Sequence, residues 1–314
     1  MLVNGKWTEN WHPVQAVDQQ GGFVRQTSSF RHWITPDGSA GVTGHEGFKA
    51  EPNRYHLYVA LICPWACRTL IARKLKGLED IISVSIVEPF LLNQGWHFGH
   101  YPDSTLDDIN GAEWIHQIYT KADQHFTGRA TVPVLWDKKL KTIVNNESAD
   151  ILRMMNTGFG ELASQEIDLY PLEYQSVIDD LNTKIYTNLN NGVYRAGFAT
   201  TQESYTEAVT EVFNTLTFLE DLLSDQRDFL CGHALTEADV RLFVTLIRFD
   251  CAYHGLFKCN LYQLKEFPFL SRYLTRVLNY AGIQDTVNIN HIKQGYYSIQ
   301  ALNPTGIVPI GPKL

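Results

Sequence analysis

The hydrophobic pattern of this chain changes period near residue 170, and one layer of secondary structure cannot serve both halves. Beyond that point the spacing is helical. Tyr174, Val177, Ile178, Leu181 and Ile185 recur on one face, as do Tyr205, Val209, Val212, Phe213, Leu216, Leu219 and Leu223, with Glu203, Glu207 and Glu211 opposite. Asn191-Gly192 reads as a helix stop between them. Thr236-Glu237-Ala238-Asp239 opens a third helix that is apolar nearly all round, through Val240, Leu242, Phe243, Leu246, Ile247 and Phe249, so it is expected to be buried. The Thr236/Asp239 pair suits a lock on the helix start better than a ligand site. Pro268 starts a fourth helix. Residues 170–290 therefore read as a helical domain and residues 291–314 as a C-terminal tail, extended from Asn303 to Leu314, where three prolines and two glycines fall.

Before residue 160 strands and helices alternate. Residues 55–61 are apolar and β-prone and run into Cys63-Pro64. Residues 65–76 then read as a helix, with Pro64 at a first position that needs no N–H and Gly77 beyond its end. A strand at 81–87 follows. Residues 88–130 form a long, aromatic, polar insertion with weak periodicity, a length that calls for a functional reason. Short strands at 132–136 and 142–144 flank the turn Asp137-Lys138-Lys139, and Asn146 is placed to cap a helix over 147–155. This order gives an α/β domain over 51–160. The first 50 residues carry loop signals at Gly21-Gly22, Pro36-Asp37-Gly38, Gly41 and Gly44. Their aromatics, Trp7, Trp11, Phe23, Phe30 and Trp33, indicate an ordered, irregular arm.

Composition excludes several classes. Lys+Arg is 26 against Asp+Glu 34, a net charge of −8, which argues against non-specific nucleic-acid binding. The longest apolar run, Val59 to Cys67, is 9 residues, short of the ~20 that span a bilayer, so no membrane insertion is expected. The opening MLVNGKWTENWHP lacks the features of a signal peptide. The five cysteines are irregularly spaced, so a cytoplasmic location with reduced thiols is expected. His97 and His100, or Cys251, His254 and Cys259, fall short of a metal-ligand pattern, and no Gly-rich dinucleotide loop is present.

The chemistry points to Cys63. A thiol at a strand-to-helix junction faces free amide N–H groups and the positive end of the helix dipole, which favour the thiolate. Cys67 follows by four residues, so the pair is not C-x-x-C. Both face one side of the helix, which leaves a disulfide open, but Cys67 lies a full turn inside and reads as structural. A single reactive thiol needs an external thiol to complete a redox cycle, and glutathione is the implied one. Val132-Pro133 before a strand suits a cis proline that presents the Val132 backbone to an extended peptide. Glu147-Ser148 at a helix start offer a carboxylate for an ammonium group, and an N–H and a hydroxyl for a carboxylate, the two needs of a γ-glutamyl end.

These pieces resemble the glutathione transferases, and more narrowly the xi class of glutathionyl-hydroquinone reductases. The motifs are Gly22-Phe23-Val24-Arg25, Ser29-Phe30-Arg31-His32-Trp33, Arg54-Tyr55-His56-Leu57-Tyr58, Cys63-Pro64-Trp65-Ala66, Thr131-Val132-Pro133-Val134-Leu135-Trp136-Asp137, Asn146-Glu147-Ser148, Leu235-Thr236-Glu237-Ala238-Asp239 and Asn303-Pro304-Thr305-Gly306. The resemblance implies a thioredoxin-like N-terminal domain followed by an all-α domain. It implies Cys63 as the catalytic cysteine and Trp96, Arg129, Val132, Glu147 and Ser148 as glutathione-binding positions. Tyr194, Tyr253 and Tyr296 match the tyrosines of the aromatic-substrate pocket. It further implies glutathione as co-substrate, a glutathionyl-hydroquinone as substrate, and a homodimer through the helical domains. A general thioltransferase or dehydroascorbate reductase would use the same cysteine without the tyrosines. A non-catalytic binding module would have no use for the thiol.

Overall fold

Strand β5 (Tyr55–Val59) is buried at every position, because it lies inside a four-stranded sheet. The computed structural model describes residues 1–8, 18–44 and 47–312; Trp11 of the arm lies outside the described residues. Two compact units are drawn from the chain. One comes from Met1–His12, Gln26–Ile167 and Thr286–His291, the other from Pro13–Arg25, Asp168–Asp285 and Ile292–Leu314.

The first unit opens with two short pairs, β1 (Leu2–Val3) with β2 (Lys6–Trp7), and β3 (Trp33–Thr35) with β4 (Gly47–Lys49). After β5 come α1 (Pro64–Leu75), β6 (Ser83–Ile86), the hairpin β7 (Leu91–Leu92) and β8 (Gly95–Trp96), α2 (Ile115–Ala122), β9 (Val134–Asp137), β10 (Thr142–Asn145) and α3 (Ser148–Arg153). The sheet order is β10-β9-β5-β6, with β6 parallel to β5 and β9 antiparallel to it. Helix α1 ends as its sequence dictates. The Gly77 N–H bonds to the Lys74 carbonyl at 3.1 Å and the Leu78 N–H to the Arg73 carbonyl at 2.9 Å, which satisfies two of the last free carbonyls.

Two local expectations change. Glu147, not Asn146, caps α3, its carboxylate accepting from the Ala149 N–H at 3.2 Å. The Asn146 amide is committed elsewhere, accepting from the Phe30 N–H at 3.1 Å and donating to the Tyr119 hydroxyl at 3.0 Å. The weakly periodic insertion contains α2, whose two turns bury Ile115, Ile118 and Tyr119; so short a helix leaves little periodic signal. The rest of the insertion is ordered by polar contacts. The Asp107 carboxylate accepts from the Tyr58 hydroxyl and from the N–H groups of Ile109, Asn110 and Ala112.

The second unit carries α4 (Gln175–Ile185), α5 (Gly192–Gly197), α6 (Gln202–Leu223), α7 (Glu237–Arg248) and α8 (Pro268–Leu278); α9 (Ile289–Tyr297) begins in the first unit and ends in the second. Every residue of α7 is buried, as its all-round apolar pattern requires. Its carboxylates are hydrogen-bonded: Glu237 accepts from Asn182 and Arg241. Asp239 accepts from the Thr236 N–H and hydroxyl, the Leu230 N–H and the Tyr273 hydroxyl, all between 2.8 and 2.9 Å, so the Thr236/Asp239 lock extends into the core. Asn191-Gly192 does not stop a helix. It opens α5 after a π-helical turn, Tyr186–Asn190, and a Cβ on Gly192 would come within 2.9 Å of Val212 on α6. The residue is small because two helices approach closely there.

His56 gives the fold a pH dependence. It is 2% exposed in β5, its Nδ1 is 2.7 Å from the Ser83 hydroxyl, and burial pushes its pKa from 6.5 down to about 4. Below the ordinary value the unfolded chain takes up a proton that the native chain refuses. The contribution of neutral His56 is therefore complete above pH 6.5 and is lost as the pH falls towards 4. The loss amounts to about 3 kcal/mol. Urea unfolding across that range should show the slope in the native chain and a flatter one in His56→Phe; equal slopes would remove the assignment.

Candidate active site

Cys63 caps α1 where the chain leaves β5. Its backbone is extended (φ −73°, ψ 119°), and its sulfur is 3.5 Å from the Ala66 N–H, one of the amides without a partner in the helix. The same sulfur lies 3.6 Å from the Val132 carbonyl. As a thiol it donates to that carbonyl; as a thiolate it accepts from the Ala66 N–H. Because β9 pairs antiparallel with β5, Tyr58 opposite Val134, the residues before β9 come beside those after β5. The Val132-Pro133 bond is cis. Cys67 turns elsewhere, towards the Thr286 carbonyl at 3.7 Å, and is 1% exposed.

Glu147 and Ser148 start α3, which packs on α1. The Ser148 hydroxyl lies 3.5 Å from a guanidinium nitrogen of Arg68, and Arg68 stacks over Trp65 at 4.5 Å. Both partners sit on α1, within two turns of Cys63. The second Glu147 oxygen accepts from the Ser28 hydroxyl at 2.9 Å, and Arg31 forms an ion pair with Asp150 one turn into α3. The arm is thus part of the construction: the Asn146 N–H bonds to the Phe30 carbonyl and the His32 N–H to the Val144 carbonyl. Sequence reasoning missed Arg68 and Ser28. Arg68 is one of three basic residues of α1, with Arg73 and Lys74, and nothing local sets it apart; Ser28 carries no signal either.

Trp96 and Arg129 are held by other contacts. Trp96 faces Leu91 across the β7–β8 hairpin, and the hairpin is braced by Glu88, which bonds His97 at 3.0 Å and the Tyr101 N–H at 3.1 Å. The Arg129 N–H donates to the Gln26 side chain at 3.3 Å, beside the Leu2–Gly128 bridge.

Tyr194, Tyr253 and Tyr296 converge in the second unit. Tyr194 is on α5, Tyr253 closes the π-helical turn after α7, and Tyr296 is on α9. The Tyr296 hydroxyl is 2.6 Å from that of Tyr194 and 2.8 Å from that of Tyr253. Tyr253 and Tyr296 are 0% and 3% exposed, and burial holds both phenols well above their ordinary pKa, so they remain neutral at physiological pH. Tyr194 is half-buried. The remaining thiols are chemically quiet. Burial pushes Cys251 up to about 11 and Cys259 up to about 12, and raises Cys231.

Among the described residues no helix is long and apolar enough to cross a membrane, and no group of three His, Cys, Asp or Glu side chains is placed to hold a metal ion. Residues 62–157 match the glutathione S-transferase N-terminal domain family and residues 202–276 the C-terminal domain family. The chain is 50% identical over 313 residues to glutathionyl-hydroquinone reductase YqjG of Escherichia coli (strain K12), covering 99% of this chain and 94% of that protein. It superimposes on the glutathione-bound structure of YqjG with a TM-score of 0.91, covering 100% of this chain and 96% of the other. Glutathionyl-hydroquinone reductase PcpF of Sphingobium chlorophenolicum is 46% identical over 99% of this chain and 96% of its own length. The glutathione-S-transferase Xi of Phanerochaete chrysosporium matches with a TM-score of 0.88 at 44% identity, over 95% of this chain and 97% of that one. The chain belongs to the glutathione transferases of the xi class, the family that includes the glutathionyl-hydroquinone reductases.

Proposed function

We propose that this protein is a glutathionyl-hydroquinone reductase, removing glutathione from an aromatic conjugate with a second glutathione as reductant. The observation that carries this beyond a general thioltransferase is the bonded trio Tyr194, Tyr296 and Tyr253, for which exchange between simple disulfides has no use. Half-identity to YqjG over nearly the whole chain supports it.

The Cys63 thiolate attacks the glutathionyl sulfur of the substrate. The carbon–sulfur bond breaks, its electron pair stays on the ring carbon, and that carbon takes a proton to give the hydroquinone. Tyrosine hydroxyls hydrogen-bond the ring oxygens and favour the keto form from which the carbon can leave. Cys63 is left as a mixed disulfide with glutathione. A second glutathione thiolate attacks the glutathione sulfur of that disulfide, giving glutathione disulfide and restoring Cys63. In this reading Glu147 and Ser148 hold the γ-glutamyl end, Val132 pairs with the peptide backbone, and Trp96 and Arg129 complete the glutathione site. The chain acts as a cytoplasmic homodimer.

The direct experiment supplies glutathionyl-hydroquinone and glutathione and follows free hydroquinone; no release would remove the reading. Cys63→Ala should abolish turnover and Cys67→Ala should keep most of it, because only Cys63 stands at the amide end of α1. Enzyme mixed with substrate alone should gain one glutathione, located at Cys63 by peptide mass spectrometry. Equal losses in the two variants would point to a dithiol mechanism.

Tyr194→Phe and Tyr296→Phe should each slow hydroquinone release on the order of 10²-fold, the usual cost of one oxyanion-type donor, with glutathione affinity nearly unchanged. Wild-type rates in both would reduce the tyrosines to packing. Sedimentation at micromolar concentration should give a dimer; a monomer would contradict that part of the proposal.

A further inference from the structure

Two carboxylates, Glu147 and Asp150, stand at the start of α3, and the arm treats them differently. Arg31 closes Asp150. Its guanidinium bonds both oxygens of that carboxylate, and the Asn145 amide adds a third donor at 3.1 Å. A guanidinium on both oxygens answers the charge of Asp150 within the protein. Among the described residues Glu147 meets neutral donors instead. One oxygen accepts from the Ala149 N–H at 3.2 Å and the other from the Ser28 hydroxyl at 2.9 Å. Each carboxylate oxygen has two acceptor positions, so each keeps one for a ligand.

The arm holds Ser28 in this place. Residues 30–32 run antiparallel beside β10, around a bridge between Arg31 and Asn145. The Asn146 N–H bonds to the Phe30 carbonyl and the Phe30 N–H to the Asn146 side chain, at 3.1 Å each, and the His32 N–H bonds to the Val144 carbonyl at 3.0 Å. The Phe30 ring stacks on Phe126, 5.7 Å between centres. The backbone two residues beyond Ser28 is thus tied to the residue just before Glu147. On the other side the Glu147 N–H donates to the Asn145 side chain at 2.7 Å, which fixes the glutamate's own backbone. The Ser28 hydroxyl has one proton and two acceptors in reach, the Glu147 oxygen at 2.9 Å and the Asn146 carbonyl at 3.4 Å. The carboxylate is nearer and charged, so the proton goes to it.

A glutamate side chain turns about three torsions, and stilling them when a ligand arrives costs affinity. Donors on both oxygens still them beforehand. Ser28 is the side-chain donor of the two, and it comes from a segment more than 100 residues away. The chemistry left over suits an ammonium group. Such a group has donors and no acceptor, and it brings the positive charge that Arg31 brings to Asp150.

We propose that Ser28 is a positioning residue for glutathione: its hydroxyl sets the Glu147 carboxylate to receive the γ-glutamyl ammonium, and so makes the site select thiols that carry that group. This rests on the reading that Glu147 holds the γ-glutamyl end. It gives the arm a part in glutathione recognition.

Two ligands separate this role from a general loss of structure. S-Methylglutathione cannot form a disulfide with Cys63. Its glutaryl analogue keeps the terminal carboxylate and lacks the amine. Calorimetry on the full chain should show the native protein binding S-methylglutathione the more tightly. Ser28→Ala should weaken S-methylglutathione about fivefold, the usual worth of one hydrogen bond, and leave the glutaryl analogue within about twofold. Ser28→Thr, which keeps the hydroxyl, should recover to within about twofold of native affinity. A loosened α3 would weaken both ligands alike. That outcome, native affinity for S-methylglutathione in Ser28→Ala, or a threonine variant as weak as the alanine one would overturn the proposal. Glu147→Gln, measured alongside, should abolish the preference between the two ligands. If the preference survives in Glu147→Gln, the reading of Glu147 falls and Ser28 falls with it. If it is lost there but native in Ser28→Ala, the Glu147 reading stands and the Ser28 role alone is refuted.

Discussion

The first amides of a helix have no carbonyl of their own helix to bond, and the start of α1 spends one of them on a sulfur. That choice needs a chain that leaves a buried strand and turns at once into a helix. Pro64 supplies the turn without losing a donor, and the fully buried β5 supplies a fixed point of departure. Much of the first unit's polar construction is arranged around this junction. β9 brings the Val132 carbonyl to the same sulfur, α3 packs its Ser148 end on α1, and Arg68 joins the two helices. An ordinary N-cap residue would satisfy the amide equally well. A sulfur there meets an amide donor and a carbonyl acceptor at once.

The tyrosine trio follows a different principle. Buried phenols are costly unless their hydroxyls are bonded, and here they bond each other. Burial keeps Tyr253 and Tyr296 neutral. Tyr194 is the member of the trio that is partly open, and the arm places aromatic and cationic groups against its ring.

Residues 18–44 of the arm carry no helix, but each stretch is specified by polar contacts. Residues 18–25 are held on the start of α6 and on α5, while residues 28–32 run beside β10 and reach the Glu147 carboxylate through Ser28. Such contacts join residues more than 100 positions apart. Periodicity, which reports only neighbours a turn or a pleat away, is blind to them.

The sequence by itself determined the elements whose causes are local. The β5–α1 junction and its cysteine, the Pro64 start and Gly77 end of α1, the Thr236/Asp239 lock and the burial of α7 all follow from propensity, capping and pattern within a few residues. Local reasoning failed where a distant partner decided. Asn146 lost the cap of α3 because Phe30 and Tyr119 claim its amide, and Gly192 is small because α6 lies against it. Helix α2 was too short to announce itself. That Tyr194, Tyr253 and Tyr296 belong together was legible only through family resemblance, and their bonding to one another was not legible at all. No spacing among them encodes a shared point, and only the packing of α5, the turn after α7 and α9 brings three hydroxyls within 3 Å of one another in a chain. Hydrogen bonds between remote side chains are set by where the backbone carries them, and that is decided by the tertiary fold.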